Sequence, residues 1–230
     1  MNTIQSNQSL QHAIQEALRW EPQLHDTQFG VIANEGIITL TGITDSYYKK
    51  IEAEKTAKKV TGVRAIIDHI TIVVKENYQL TDEEIAAKIV TLYHASFTIP
   101  DDRIKITVED GWVTLEGKVN WNYQKNAAET ILHPILGIRG ISNHIVSQTE
   151  RDSEIKKELI ERALKQSALL FENLIEVKVN NRKVTLSGQV NTLYEKEEAE
   201  RLAWNAKGVT AVDNQITLGP LLLKSHNYEC

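Results

Sequence analysis

Hydrophobic and polar residues follow two rhythms along this chain, one typical of strands and one typical of helices. In GWVTLEGKV (111–119), Val113, Leu115 and Val119 lie on one side of a two-residue alternation, as in a strand with one buried face. The dipeptide DG that leads into this stretch predicts a tight hairpin turn. Further on, apolar residues at helical spacing form one face, made of Ala128, Ile131, Leu132 and Ile135.

The same order of patterns occurs three times. The phrases GIITLTG (36–42), GWVTLEG (111–117) and RKVTLSG (182–188) each begin a register that continues without a gap for about thirty residues. Asp or Asn, then Tyr, then Ala, then a second Gly recur at fixed distances after each phrase. This recurrence indicates three copies of one unit, each large enough to be a small domain. The recurring residues with structural roles are Gly42, Gly117, Gly188, Asp45, Asn120, Asn191, Gly62, Gly137 and Gly208.

Each recurring residue has a physical role in the predicted unit. The glycine that ends each phrase lies on the inward side of a strand, where it lets another backbone approach closely. The Asp or Asn that follows is expected to cap the N-terminus of a helix. In the third copy, Thr192 and Glu195 offer a capping box instead, if the helix begins one residue later. Gly62, Gly137 and Gly208 are expected at the C′ position, where a left-handed turn ends the helix.

Another helix lies upstream of each hairpin. Its apolar positions are Ile14 and Leu18 in the first copy, Ile85, Ile89 and Leu92 in the second, and Ile155, Leu159 and Ala163 in the third. The element order of a copy is therefore α-β-β-α-β. We predict the α+β class, with three tandem units that each form a three-stranded mixed sheet covered by two helices on one face. The predicted domains span 8–74, 80–148 and 152–219.

These residues resemble a known family. A GxVTLxG tract, then Asn or Asp, then a helix that ends in GVxxVxNxI is similar to the BON domain (bacterial OsmY and nodulation). All three copies match, with two departures. Arg182 replaces the first glycine of the third tract, and Pro134 lies near the end of the second copy's helix, where it removes a backbone bond. The resemblance implies non-catalytic binding domains, commonly of the bacterial envelope, that are linked to phospholipid and to osmotic or other stress.

Charge and motif content bear on the class of protein. The chain has 26 Lys and Arg against 31 Asp and Glu, whereas a general nucleic-acid binder usually has a basic excess. We therefore expect no nucleic-acid partner. The single cysteine, Cys230, allows neither an intramolecular disulfide nor a cysteine-based metal site. No catalytic or phosphate-binding motif occurs, and His69 and His144 are interpreted as solvated residues, so we expect no enzymatic activity, metal or cofactor.

The sequence offers two candidate binding surfaces. Lysines on the second helix of the first copy could each contribute about 1 kcal/mol near an anionic lipid surface, although Glu52 and Glu54 dilute this charge and favour an ordinary helix surface. Three tryptophans stand where the other copies carry different residues, which indicates contact with a neighbouring repeat, a second subunit or a membrane interface. The candidate residues are Lys49, Lys50, Lys55, Lys58, Lys59, Trp112, Trp121 and Trp204.

The location of the protein is predicted from what the sequence lacks. We see no secretory signal in the first twenty residues and no apolar stretch long enough to span a membrane, so we expect a cytoplasmic protein, peripheral to the membrane if it binds lipid. The leading hypothesis is a phospholipid-binding protein of osmotic stress. The alternatives are a potassium-responsive module, by similarity to a protein type that joins one BON domain to a LysM domain, and a protein scaffold or homo-oligomer.

Overall fold

The computed structural model of the chain describes residues 6–74, 80–148, 155–170 and 173–219. They form three units that each follow the order helix, hairpin, helix and strand, as predicted. Unit 1 contains α1 (Asn7–Trp20), β1 (Phe29–Asn34), β2 (Ile37–Thr44), α2 (Tyr47–Lys58) and β3 (Ala65–Ile72). Unit 2 contains α3 (Asp82–Ala95), β4 (Ile104–Glu109), β5 (Trp112–Val119), α4 (Asn122–Thr130) and β6 (Gly140–Ser147). Unit 3 contains α5 (Lys157–Gln166), β7 (Ile175–Asn180), β8 (Lys183–Val190), α6 (Leu193–Trp204), β9 (Ala211–Asn214) and β10 (Thr217–Leu218).

The second strand of each hairpin lies in the middle of its sheet. In unit 1, β2 is antiparallel to β1 and parallel to β3, so that Leu40 lies between Val31 and Asp68. Units 2 and 3 repeat this arrangement, which confirms the predicted mixed sheets. In unit 3 the last strand is divided into β9 and β10, and both pair with β8.

Each unit has its own hydrophobic core between its helices and one face of its sheet. In unit 1, Ile14, Leu40 and Ala57 are fully buried, and the small side chains of α2 let this helix lie close to the sheet. In unit 2, the buried Tyr93 hydroxyl of α3 donates to the carbonyl oxygen of Ala128 in α4 at 2.8 Å. Burial raises the pKa of this hydroxyl well above its usual value. The bond joins the two helices above the sheet.

The predicted apolar face of α5 is wrong by one position. This helix begins at Lys157, so Ile155 lies before it, and Leu159 is half exposed. Ile155 is nevertheless buried in the core, as predicted, and the helix residues that join it there are Ile160 and Leu164, four positions apart. The helix itself is as predicted, and only its buried face differs.

The N-caps of the second helices also differ from the prediction, because they lie one residue later than Asp45, Asn120 and Asn191. In unit 1, the hydroxyl of Ser46 accepts the backbone N–H of Lys49 at 3.4 Å. A hydroxyl is as good a cap as an Asx side chain, and here it is the one placed at the turn into the helix.

In unit 3 the helix begins with the capping box that Thr192 and Glu195 predicted. Thr192 accepts the backbone N–H of Glu195 at 3.1 Å, and the Glu195 carboxylate accepts the N–H of Asn191 at 2.9 Å. In unit 2 the cap position holds Trp121, whose indole has no acceptor. Gln124 compensates by accepting the N–H of Trp121 at 3.0 Å.

The glycines that end the three repeated strand sequences, Gly42, Gly117 and Gly188, permit a close backbone approach, as predicted. Gly117 has φ 148°, and a side chain there would collide with the carbonyl oxygen of Arg103, just before β4. The second set, Gly62, Gly137 and Gly208, also has positive φ but does not occupy C′. In units 1 and 3, the C-caps are Lys59 and Asn205, three residues before the glycine. In unit 2 the helix ends earlier, at Thr130, because Pro134 cannot continue it.

A polar residue in the last strand ties each sheet to its second helix. Asn143 of β6 donates to the carbonyl oxygen of Lys125 and to the carboxylate of Glu129, both at 3.0 Å. Asn214 makes the equivalent bonds in unit 3. In unit 1 the residue is Asp68, and it forms an ion pair instead, with Lys50 at 2.9 Å. This difference changes the charge that each helix presents.

Candidate functional site

The five candidate lysines lie on α2 or at its end, and carboxylates or an aromatic ring accompany them. Lys49 contacts Asp26 and Asp45 at 3.3 and 3.1 Å, and Lys55 contacts Glu52 at 3.1 Å. Partial burial lowers the pKa of Lys49 and of Lys55, but the bonds to the carboxylates outweigh it and the net shift is upward. Both lysines therefore stay charged, with their charge locally compensated.

Lys58 and Lys59 both contact unit 3, although Lys59 is also exposed to solvent. Lys58 lies between Glu54, at 2.7 Å, and Glu197 of unit 3, at 2.9 Å, and its pKa is raised by these partners despite its burial. Lys59 lies 5.6 Å from the ring centre of Tyr194. Lys50 pairs with Asp68, so four of the five lysines have a carboxylate partner, which weakens the attraction of this face for anionic lipid. A lipid-binding role for these lysines stays a prediction.

The three candidate tryptophans lie in different environments. Trp112 is half exposed on the open face of the unit 2 sheet, where its indole N–H donates to Ser142 at 2.9 Å and its ring covers Gly140. Trp121 lies between units, with the ammonium group of Lys207 5.5 Å from its ring centre. Trp204 is half-buried and packs against the core of unit 3. The structure does not bring the three together.

The second helices of the three units form a closed ring, in which the start of each meets the end of the next. Tyr47 at the start of α2 is buried in the core of unit 2 and lies edge-on to His133, with ring centres 5.5 Å apart. At the start of α6, Leu193 packs against the core of unit 1. At the start of α4, the contact is that of Trp121 with Lys207 of unit 3. The sequence differences at Lys58, His133 and Trp204 thus occur at one equivalent position that faces a neighbouring unit.

Sequence reasoning missed another set of surface residues. Trp20, Phe97 and Leu174 are 80%, 110% and 93% exposed. Trp20 ends α1, Phe97 lies between α3 and β4, and Leu174 directly precedes β7. They are the three most exposed large apolar side chains among the described residues. The signal in the sequence was a large apolar residue off the buried face of its element or outside any element, which periodicity analysis discards.

The described part of the chain contains no group of three or more His, Cys, Asp and Glu residues that could hold a metal ion. His69 and His144 are exposed, as the sequence indicated. Cys230 lies outside the described residues. Nor does any helix in the described ranges have the length and apolar character needed to cross a bilayer.

Comparison with known proteins gives both a family match and individual relatives. The BON domain model matches three segments, residues 6–74, 81–149 and 151–220. Osmotically-inducible protein Y of Escherichia coli (strain K12) is 26% identical over 140 residues, which cover 57% of this chain and 68% of that protein.

Two solved structures of CdsD, a structural protein of the type III secretion system of Chlamydia trachomatis, also match. The first is 18% identical and covers 91% of this chain and 96% of its own, with a TM-score of 0.24. The second is 17% identical and covers 91% and 92%, with a TM-score of 0.23. Scores this low carry no weight for fold or function. The family match spans nearly the whole chain, and the repeat, sheet order and helix positions agree with it, so the chain belongs to the BON domain family.

Proposed function

We propose that the chain is a non-catalytic protein that binds phospholipid surfaces peripherally in the response to osmotic stress. The observation that carries the proposal is the exposure of Trp20, Phe97 and Leu174, one in each unit. Burial of such a side chain contributes about 1.5–3 kcal/mol, and tryptophan in particular favours the interface of a bilayer. Three such contacts support reversible binding without a spanning segment.

The cyclic arrangement of the units supports joint use of these residues. Each unit contributes one of the three side chains, and packing between the units fixes their relative positions. Membership of the BON family and similarity to an osmotically inducible protein support the link to osmotic stress. The paired state of the lysines supports apolar contact as the main source of affinity, with electrostatic attraction in a secondary role.

Flotation with anionic phospholipid vesicles tests the proposal. We expect the protein to float with vesicles at low salt and to keep most of its binding at high salt. The combined variant Trp20→Ser, Phe97→Ser and Leu174→Ser is expected to lose binding. A matched control is Ile32→Ser, which removes an exposed apolar side chain from the open sheet face of unit 1. Absence of flotation at low salt would end the proposal.

A second set of vesicle measurements tests the lysine face separately. The variant Lys49→Gln, Lys55→Gln and Lys59→Gln removes three charges from one helix surface. If apolar contact dominates, this variant binds nearly as well as the parent protein. If it loses binding and the serine variant does not, the lysine face carries the interaction and the loops do not.

A second candidate function, protein scaffolding, is favoured by the open sheet face of unit 1. Ile32, Ile37 and Ile67 are 62%, 43% and 44% exposed there, and Ile32 and Ile67 flank the same residue, Thr39. An apolar row of this kind fits another protein surface. Light scattering tests self-association: a dimer that Ile67→Lys converts to a monomer supports this function, and a monomer in both cases counts against it.

A further inference from the structure

The junction between units 2 and 3 differs from the other two junctions of the helix ring. At the first position of the second helix, units 1 and 3 carry Tyr47 and Leu193, which pack into the core of a neighbouring unit. Unit 2 carries Asn122 there, and a solvent-open groove of about 600 Å³, called the cavity below, lies between α4, β6 and α6. An apolar side chain at this position, as in the other two units, would add buried surface to the junction. Unit 2 therefore lacks a stabilising contact that units 1 and 3 make.

The wall that unit 2 contributes is basic and rich in amides. Asn122, Lys125 and Asn126 lie half-buried on α4. Among the residues that the structure describes, their side chains have no hydrogen bond or ion-pair partner. In unit 1 the equivalent lysine, Lys50, is neutralised by Asp68 at 2.9 Å. The corresponding strand residue of unit 2 is an uncharged asparagine, so Lys125 keeps a free positive charge toward the cavity.

The wall that unit 3 contributes is aromatic and acidic. Trp204 of α6 lines the cavity, together with Glu197 and Glu200. Arg201 also lies there, but two bonds of 2.7 Å to Glu198 satisfy its charge. Glu197 shares its lysine partner with a second carboxylate, and Glu200 pairs only with an uncharged amide. This wall therefore keeps a net negative charge opposite the basic one.

We propose that the cavity binds a small zwitterion that carries a quaternary ammonium group and an acid group. The methylated ammonium group lies against the indole of Trp204, where the ring and the carboxylates of Glu197 and Glu200 attract it. The acid group lies at the opposite wall, where Lys125 and Asn122 donate hydrogen bonds to it. A free trimethylated amino acid and the phosphocholine headgroup of a lipid share this chemistry.

Titration calorimetry with trimethylglycine tests the proposal on the full chain. We expect saturable binding with one site per chain. Tetramethylammonium carries only the positive group of the ligand, and acetate carries only the negative group. Each is expected to bind at least about tenfold more weakly than the zwitterion. If either half binds as tightly as the whole, the assignment of two opposed walls is wrong.

Two variants locate the site and one serves as control. Lys125→Gln is expected to weaken binding about tenfold, through loss of a charged hydrogen bond. Asn122→Leu copies the residue of unit 3, and we expect it to add apolar packing at the junction, raise the melting temperature and abolish binding through loss of the amide and narrowing of the groove. Lys196→Gln changes the equivalent lysine at the junction that Leu193 fills, and should leave binding unchanged.

The two sources of the ligand chemistry are separated by competition. Vesicles of phosphatidylcholine that displace trimethylglycine identify a headgroup site, whereas vesicles without effect identify a site for the free solute. The proposal is overturned if the folded parent protein binds neither probe, or if Asn122→Leu and the parent bind equally well.

Discussion

Tyr47 of unit 1 lies buried in the core of unit 2, edge-on to His133 with ring centres 5.5 Å apart. The first residue of one unit's helix is thus a core residue of the next unit. Burial and nearby carboxylates raise the pKa of Tyr47 to about 12, so the hydroxyl stays protonated at neutral pH. The units are therefore joined by shared hydrophobic packing, and their stabilities are coupled.

Removal of this side chain should uncouple units 1 and 2. We expect Tyr47→Ala to lower the free energy of unfolding by about 3 kcal/mol, as large-to-small changes in cores do. Chemical denaturation measures this loss, and a broader or two-step transition would report separate unfolding of the units. Tyr123→Ala is the matched control, since Tyr123 is 44% exposed, and should cost well under half as much. Equal losses would contradict the role of the junction.

His133 should make stability depend on pH. Desolvation lowers its pKa below the usual value, opposed by Glu129 and Glu52 and assisted by Lys55, and its Nε2 has no partner in the described structure. The folded state therefore prefers the neutral imidazole. Its contribution is fully present above the ordinary histidine pKa of about 6.5 and is lost as the pH falls through the lowered value.

Denaturation curves between pH 7.5 and about 5 measure this effect. His133→Gln is expected to reduce the loss of stability in that window, whereas His69→Gln, which removes an exposed histidine, should leave it unchanged. The carboxylates Asp26 and Asp213 have lowered pKa values through bonds to lysine. The stability that they contribute is therefore lost only nearer about pH 4, outside this window. An unchanged slope in His133→Gln would rule out this residue as the source.

Gly117 should tolerate no side chain. Its φ of 148° disfavours other residues, and a Cβ would collide with the backbone carbonyl of Arg103, which cannot rotate away. We expect Gly117→Ala to lower the free energy of unfolding by about 2–4 kcal/mol. The atoms nearest to a Cβ at Gly140 belong to the movable ring of Trp112, so Gly140→Ala should cost about 1 kcal/mol and shift the tryptophan fluorescence. The reverse order of the two losses would contradict this account.

The repeat, the sheets and most buried helix faces were predictable because they depend on local patterns. Two-residue and helical periodicity each report which side of an element is buried, and threefold repetition made each pattern more certain. The errors arose where two neighbouring residues could serve one role. Ser46 competes with Asp45 as a cap, and only the direction of the chain at the turn decides between them.

The candidate site was less predictable, because it depends on contacts between units. The sequence marked Trp204 and His133 as unusual, but it could not show that both face a neighbouring helix. The lysine face seemed basic along the chain, whereas Glu197 reaches it from a unit that begins about a hundred residues later. Exposed loop residues such as Phe97 carry no periodic signal at all.

Leu193 should stabilise the junction between units 3 and 1. Asn122, at the equivalent position of unit 2, makes no such apolar contact with the described part of unit 3. Its side chain packs against the core of unit 1, so Leu193→Asn replaces buried apolar surface with an amide that has no partner. We expect a loss of about 1–3 kcal/mol in the free energy of unfolding. Leu159→Asn makes the same chemical change at a half-exposed position of α5 and should cost less than 1 kcal/mol. If both variants lose the same free energy of unfolding, packing of Leu193 at the junction adds no stability. The asparagine at the equivalent position of unit 2 would then need no functional explanation.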